Sequence, residues 1–447
     1  MPLRLRLLRC NIRPIRHKDR VMVSNPLRVG IAGLGTVGVG VVHIVQNHAD
    51  LIKKRAGKPV VITAVSARSQ KDRGVDLSAY AWMDNPIDIA AREDVDCVVE
   101  LIGSADGAAY DVVRSALTKG KHVVTANKAL MSKHGYDLAK IAEKQNVSLN
   151  YEAAVAGGIP VIKAMRESLA GNEVNAISGI LNGTSNYILT QMRENGIDFE
   201  TALKDAQDKG YAEADPTFDI DGTDAAHKLS LLSAIAFGTV PNMAGITKKG
   251  MQHIAPFDIR MADELGYRIK VLGIADPDAQ SVEPCLVPQS HPLYAIDGVT
   301  NAVDIMADSL GPCVLTGAGA GRAATASSVL SDIVDIARNI SVPTFGIPAA
   351  DLRQPAHNDT IDLNAAFYMR IDVLDQVGVV ATVSDILKNN DISIQSMIQH
   401  TRRSTDSVPV VIQTHQTCRK GIQKTADSIA KMNFCTEPPC VLRILGE

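Results

Sequence analysis

The sequence predicts an α/β protein in which a parallel sheet covered on both faces is followed by an α+β unit and a small C-terminal βαββαβ unit. Three observations carry this. Short β-branched runs alternate with helical stretches from residue 27 to about residue 150, which is the pattern of a parallel sheet with crossover helices. The rhythm then changes to longer helices broken by a Gly/Asp-rich stretch at 210–222. From residue 367 onward the order of strands and helices is βαββαβ.

Each element has a local reason. Residues 27–32 (LRVGIA) form a short apolar run that breaks into glycines, and 60–67, 95–102 and 122–125 are further runs rich in the stiff side chains that suit a pleated backbone. Helices are predicted at 37–48, 86–92, 108–119 and 135–145. In the second unit they are predicted at 159–170, 184–195 and 223–237, with a strand at 173–181. Residues 265–316 are richer in strands and loops and end at the glycine cluster 317–321, which opens a helix running to about residue 339. Pro343, Pro348 and Pro355 with the polar run from His357 mark a linker. The last unit reads as strands at 367–373, 392–400, 407–414 and 439–444, with helices at 379–389 and 421–432. The expected division is 22–150 and 151–316 for the two large units, with 317–345 completing the first, then a linker at 346–364 and the small unit at 365–447.

Composition sets limits on function. The 447 residues are 46% hydrophobic, 21% charged and only 4% aromatic, and they carry a net charge of −3. Residues 1–21 hold seven Arg and Lys against the single Asp19, so the chain from Met22 has 39 basic and 48 acidic residues. A body that acidic gains nothing from counterion release on a phosphate backbone, and nucleic acid is not an expected partner. The Arg-rich start reads as an upstream extension or a disordered tail, with an organellar targeting segment as the alternative. No uninterrupted apolar run is long enough to span a membrane, because the most hydrophobic stretch, 29–45, contains five glycines. The seven cysteines are scattered without a C-x-x-C pair, fitting neither a disulfide framework nor a zinc site, and a reducing, cytoplasmic setting is expected.

The chemistry concentrates in four motifs. Gly33-Leu34-Gly35-Thr36-Val37-Gly38 follows the first strand and opens the first helix. Glycines there allow a tight turn and let a pyrophosphate approach backbone N–H groups at the helix N-terminus, so a Rossmann-type nucleotide domain binding a dinucleotide is expected. Where NAD selectivity asks for an acidic residue after the second strand, the chain has Arg68, Ser69 and Lys71. These residues suit a 2′-phosphate or form a solvated loop, so the expectation leans to NADP with NAD open.

Lys128 follows a strand at the carboxyl edge of the sheet, where open α/β folds bind their ligands. The segment from Gly210 to Lys228 sets five carboxylates, Glu213, Asp215, Asp219, Asp221 and Asp224, ahead of one lysine. In a helix from Thr223, Asp224 and Lys228 share the stripe of Leu231 and Ile235, with His227, Ser230 and Ser233 pointing the other way. A lysine carried into an apolar face is a candidate general acid/base, and a first-turn ion pair with Asp224 is the alternative. The carboxylate excess suits a substrate with an ammonium group. Residues 152–160 combine small residues with Pro160, and could present carbonyls to a monovalent cation or serve as an ordinary helix entry. Cys97 and Cys313 lie in no nucleophile setting, so hydride transfer between an alcohol and a carbonyl is expected rather than thioester chemistry.

These motifs resemble the homoserine dehydrogenase family. GLGTVG at 33–38, VVELIG at 98–103, TANKALM at 125–131, EAAVAGGIP at 152–160, NGTSNYIL at 182–189, GYAEADPTFDIDGTDAAHKL at 210–229 and GAGAG at 317–321 run in family order through most of 27–345. The stretch from Phe367 resembles an ACT domain, a small amino-acid-binding module. Ser104, Thr223 and Val377 depart from these patterns.

The resemblance implies reversible oxidation of L-homoserine to L-aspartate 4-semialdehyde with NAD(P)+. Lys228 would handle the proton and Lys128 would assist near nicotinamide and substrate. Glu213, Asp219 and Asp224 would bind substrate. Gly33, Gly35, Thr36, Val37, Gly38, Arg68, Ile102, Lys128, Gly210, Glu213, Gly319 and Gly321 would form the cofactor site, and Glu152, Val155, Gly157 and Ile159 a Na+ site largely through carbonyls. The resemblance further implies L-threonine as effector of the ACT module, a homodimer or homotetramer built by the middle domain, and the monofunctional form of the enzyme. Another NAD(P)-dependent amino-acid or semialdehyde reductase, and a catalytically dead amino-acid sensor, are the competing readings.

Overall fold

The protein is described here from a computed structural model, which covers residues 25–355, 364–399 and 407–446. The expectations for residues 1–21, for the middle of the 346–364 linker and for the His400 end of one strand fall outside the described residues. The first sheet contains β1 (Leu27–Ala32), β2 (Val60–Ser66), β3 (Ala81–Met83), β4 (Cys97–Glu100), β5 (His122–Thr125) and β6 (Leu149–Asn150). All pairings are parallel and the order is β3-β2-β1-β4-β5-β6, so the winding reverses between β1 and β4. That reversal opens a crevice at the carboxyl ends of the strands, where ligands of this architecture bind.

Alternation along the strands divides the core between two layers of helices. Val98 and Val123 pack with Val112, Val113 and Leu117 of α3 (Ala108–Thr118), next to α4 (Lys128–Lys144). Val29, Ile31, Val99 and Val124 pack on the opposite face with Val41 and Val42 of α1 (Thr36–Asn47), which is followed by α2 (Ala49–Ala56).

The second unit has β7 (Val174–Ile180), α5 (Gly183–Asn195), α6 (Phe199–Asp208), α7 (Thr223–Phe237), β8 (Thr247–Lys248), α8 (Pro256–Glu264), β9 (Tyr267–Ala275), β10 (Gln280–Pro288), β11 (Thr300–Ala307) and β12 (Gly311–Ala318). The chain then returns through α9 (Arg322–Ala337), whose Val329 and Ile333 join the α1 face of the first core. Gly40 permits that return, because a Cβ there would lie 2.8 Å from the Arg322 carbonyl oxygen.

The C-terminal unit runs β13 (Asn364–Leu374), α10 (Val379–Lys388), β14 (Ile394–Gln399), β15 (Ser407–Thr414), β16 (Thr417–Cys418), α11 (Arg419–Ile429) and β17 (Cys440–Ile444). Its sheet is fused with that of the second unit. The order is β12-β11-β7-β9-β10-β17-β13-β15-β14, with β17 parallel to β10 through Cys285 opposite Arg443 and Leu286 opposite Ile444. Buried charges hold the seam. Arg370 Nε donates to Asp258 Oδ1 at 2.8 Å, and the Tyr368 hydroxyl donates to the same oxygen at 2.9 Å. Arg419 pairs with Glu283 of β10 (2.8 Å), and Lys249 donates to the Val441 carbonyl (2.6 Å).

Two predicted helices take other forms. Residues 86–92 make a 3₁₀ turn, Pro86–Ala91, whose Ile87 N–H is capped by Asn85. Residues 159–170 split into a short α turn, Val161–Lys163, and a wider π turn, Ala164–Ser168, closed by Leu169 N–H on the Ala164 carbonyl. At the entry the buried Glu152 carboxylate takes the otherwise unpaired first-turn N–H groups of Ile162 and Lys163 (2.9 and 2.8 Å).

The seam yields a prediction. Asp258→Ala leaves Arg370 and Tyr368 without their buried acceptor and should destabilise the protein by about 3 kcal/mol, read as a lower thermal midpoint in calorimetry. Asp258→Asn, which keeps an acceptor for the hydroxyl, should lose less.

Candidate active site

The site lies where α7 meets the carboxyl edge of the first sheet. Lys228 is 8% exposed, and its Nζ donates to the Leu181 carbonyl (2.6 Å) and to Asp224 Oδ2 (2.7 Å). The other oxygen of Asp224 lies 3.1 Å from Nζ of Lys128, the first residue of α4. One carboxylate on the second unit thereby meets an ammonium from each unit. Asn182 completes the cluster: its amide donates to Asp219 Oδ1 (2.7 Å) and to Asp224 Oδ2 (2.9 Å), while its Oδ1 accepts the Ser185 N–H and caps α5.

The two carboxyls titrate in opposite directions. Burial pushes Asp224 upward, but the charges of Lys228 and Lys128, with the hydrogen bonds from Lys228 and Asn182, outweigh it and hold Asp224 below the usual carboxylate range. Asp219 is raised, first by burial and also by the Asp224 charge, against the Asn182 hydrogen bond and the two lysines. His227, whose Nδ1 lies 3.0 Å from the Thr223 carbonyl, is lowered by burial.

Helix α7 spans the residues the pattern predicts, but it is buried on more than one side. Ser230 and Ser233, expected on the face away from Lys228, are both 1% exposed. That second face packs on the first unit, where the Ser230 and Ser132 hydroxyls are 2.7 Å apart. Glu213 and Gly210 lie on the exposed approach to this helix, Gly210 with φ +73°.

The glycine turn is built to receive a ligand. Gly33 has φ +111° and its missing Cβ would lie 2.5 Å from the Leu101 carbonyl oxygen. A Cβ on Gly38 would sit 2.0 Å from the Gly33 carbonyl oxygen, whereas at Gly35 it would meet nothing within 4 Å. No side chain caps α1, so the N–H groups from Thr36 and Val37 onward face this open ground. Arg68, Ser69 and Lys71 lie exposed in the loop after β2. That loop is fastened to the glycine turn by Arg73, which donates to the carbonyls of Leu34 (3.0 Å), Lys71 (2.9 Å) and Ser69 (2.6 Å).

At the switch point the buried Glu100 carboxylate accepts the N–H of Ile102 (2.6 Å) and the Thr125 hydroxyl (2.6 Å), fixing Ile102 beside the crevice. Burial raises the Glu100 pKa against these bonds. Thr125 in turn receives the Asn127 N–H (3.0 Å), and Asn127 caps α4 ahead of Lys128.

Gly319 and Gly321 stand between β12 and α9, Gly321 with φ +121° and exposed. The loop at 152–160 lies against them, since a Cβ on Gly157 would be 2.4 Å from the Gly319 carbonyl oxygen. Successive positive φ values at Ala156 and Gly157 turn its carbonyls. Gly157's accepts the Ser328 hydroxyl (2.7 Å) and Ile159's the Val161 N–H (2.8 Å), each with a further lone pair. Since the Glu152 side chain is spent on backbone N–H groups, a cation at Glu152, Val155, Gly157 and Ile159 would draw on carbonyls. Among the described residues no three His, Cys, Asp or Glu cluster as metal ligands, and no helix is long and apolar enough to cross a membrane. Cys97 is buried in β4 with its thiol pushed up by burial, away from any nucleophile role.

Asn182, Arg73 and Glu100 were not singled out from sequence. An Asn directly before a helix is a capping signal, so Asn182 was legible as a cap, but its bonds to two carboxylates depend on contacts across 37 and 42 residues.

A dinucleotide crevice with an anion-binding helix terminus, adjoining a buried lysine with paired carboxylates, defines a nicotinamide-dependent oxidoreductase acting on a CH–OH group. Comparison with known proteins agrees and is more specific. The family model "Homoserine dehydrogenase, NAD binding domain" matches residues 33–152 and "Homoserine dehydrogenase" matches residues 160–334. A homoserine dehydrogenase of Neisseria gonorrhoeae is 40% identical over 94% of this chain and 98% of its own length. The crystal structure of a homoserine dehydrogenase from Thiobacillus denitrificans superposes with a TM-score of 0.87 at 38% identity, covering 94% of this chain and 98% of that one. A hyperthermophilic archaeal homoserine dehydrogenase in complex with NADPH gives 0.61 at 25% identity, covering 70% and 97%. The chain belongs to the homoserine dehydrogenase family.

Asn182→Ala tests the cluster. It removes a bond that lowers Asp219, so the acid limb of kcat/KM should move to higher pH, with a loss of about tenfold at its plateau. An unmoved acid limb would show that Asp219 is not the carboxyl that must be ionised.

Proposed function

We propose that the chain interconverts L-homoserine and L-aspartate 4-semialdehyde with Lys228 as the acid/base at the reacting oxygen. The observation that carries this is the donor count at Lys228: an ammonium has three N–H bonds, and among the described residues only two are spent, on Leu181 and Asp224. As the aldehyde is reduced, the third N–H is given to the substrate oxygen as a proton; in the oxidising direction Lys228 acts as the neutral amine, keeps its two N–H bonds to Leu181 and Asp224, and takes the hydroxyl proton on its lone pair. A nicotinamide dinucleotide held at the glycine turn of 33–38 would accept or supply the hydride. Asp224 holds Lys228 and Lys128 in place and keeps two cations together, so Lys128 can lie beside the reacting groups without repelling Lys228 out of position. Asp219 and Glu213 supply negative charge for the substrate ammonium.

The reading extends to ligands. Gly33, Gly35, Thr36, Val37, Gly38, Ile102, Gly210, Gly319 and Gly321 would line the dinucleotide site. Arg68, Ser69 and Lys71 support a preference for NADP, as does the NADPH bound by the archaeal relative. Carbonyls of Glu152, Val155, Gly157 and Ile159 would hold Na+ against the Gly319 loop. The C-terminal βαββαβ unit reads as an ACT module taking L-threonine, and the middle unit as the dimer-forming surface.

Lys228→Ala should lower turnover of L-homoserine by at least about a hundredfold while dinucleotide binding, followed by fluorescence titration, is retained. Near-normal turnover would sink the assignment. The same assay with added L-threonine should show wild-type inhibition that is lost when residues 365–447 are removed, provided the shortened chain keeps its basal rate.

A further inference from the structure

Asn301, at the edge of the cleft, has no role in the account so far. It is 1% exposed, and among the described residues neither its side-chain nitrogen nor its oxygen has a hydrogen-bond partner. A buried amide unpaired at both atoms is rare and costly in a folded protein, and it asks for a partner that arrives later.

Its position says where that partner lies. In β11, Ala302 pairs with Ile180 and joins the core on the outer face of the sheet with Leu272 and Ile274. Val303 and Ile305 belong to the core that contains Leu229 and Leu231 of α7. By strand alternation Asn301 points to the α7 face, one residue beyond the Ala302–Ile180 pair and level with Leu181, whose carbonyl receives Lys228. Two glycines border it. A Cβ on Gly319 would lie 2.1, 2.2 and 2.3 Å from Cγ, Nδ2 and Oδ1 of Asn301, so the amide plane covers the Gly319 Cα face-on. A Cβ on Gly183, at the start of α5, would lie 3.4 Å from Asn301 Oδ1. The unpaired amide is therefore wedged between the Gly319 turn and the residues that lead from Lys228's carbonyl partner into α5.

The chemistry narrows the partner. A carboxylate alone or an ammonium alone would leave one Asn301 atom unpaired, and the substrate ammonium is already matched by Asp219 and Glu213 in the reading above. A carboxamide offers a donor and an acceptor on adjacent atoms and satisfies both. We propose that Asn301 binds the carboxamide of the nicotinamide ring and orients the ring against Lys228, a role that rests on the dehydrogenase reading above. It also explains why Gly319 can have no side chain, since any Cβ would displace the amide.

The test compares oxidised NADP with its 3-acetylpyridine analogue, in which a methyl ketone keeps the acceptor and removes the donor, by titration calorimetry on the full chain. Wild type should bind the analogue about fivefold to tenfold more weakly, the range expected for one buried hydrogen bond. Asn301→Leu, of similar shape without the polar atoms, should bind the two dinucleotides equally, and should lose kcat with homoserine more than it raises KM for homoserine. Equal affinities in wild type, or undiminished discrimination in Asn301→Leu, would overturn the proposal. Where Asn301→Leu does not fold, Asn301→Ala takes its place and should likewise bind the two dinucleotides equally. Failure of wild type to oxidise homoserine would overturn the reaction reading, while the binding comparison still decides the role of Asn301.

Discussion

The site depends on one buried carboxylate shared by two ammonium groups. Asp224 is brought into the interior by α7, where burial alone would favour its neutral form, and it stays ionised because Lys228 and Lys128 meet its two oxygens. The dependence is mutual. Two cations this close would repel each other in a medium of low dielectric, and the anion between them makes the arrangement tolerable. Because Lys128 starts a helix of the nucleotide unit and Lys228 lies in the second unit, the same contact closes the two units over the crevice.

The rest of the architecture holds that contact in register. Glu100, Thr125 and Asn127 form a chain of hydrogen bonds from the switch point to the first turn of α4, so the end of β4 and the position of Lys128 are set together. On the other side Asn182 caps α5 with its oxygen and grips both carboxylates with its nitrogen. Close backbone approaches at Gly40 and Gly157 let the chain return from the second unit and lay α9 on α1. The sheet of the second unit continues into the C-terminal unit, and Val282 of β10 lies against Gly222 at the start of α7, where a Cβ would be 2.9 Å from its Cγ1. The seam with the C-terminal unit thus stands one strand away from the helix that carries Lys228.

Much of this was legible in the sequence because local rules and tertiary demands agree. The dinucleotide turn, the bounds of α7 and the βαββαβ order of the last unit follow from glycine placement, periodicity and punctuation. What escaped was set by distant contacts. The three-residue edge strand β3 is too short to show alternation, and the predicted helix at 159–170 splits into a short α turn and a π turn, its first N–H groups held by Glu152, ten residues before Ile162. Ser230 and Ser233 read as a polar face because polarity usually marks solvent, whereas here it marks contact between units. Asn182 and Asn301 are single amides whose partners lie far along the chain, and no spacing rule singles them out.

The most direct measurement of the central claim is a double-mutant cycle on kcat/KM for homoserine with Lys128→Ala, Asp224→Asn and the double variant. If Asp224 acts by holding Lys128 and Lys228 together, the losses should be strongly non-additive, with a coupling of about 1 kcal/mol or more and a double variant scarcely slower than the worse single one. Losses that simply multiply would mean that the two residues act independently, and that the shared carboxylate is not what organises the site.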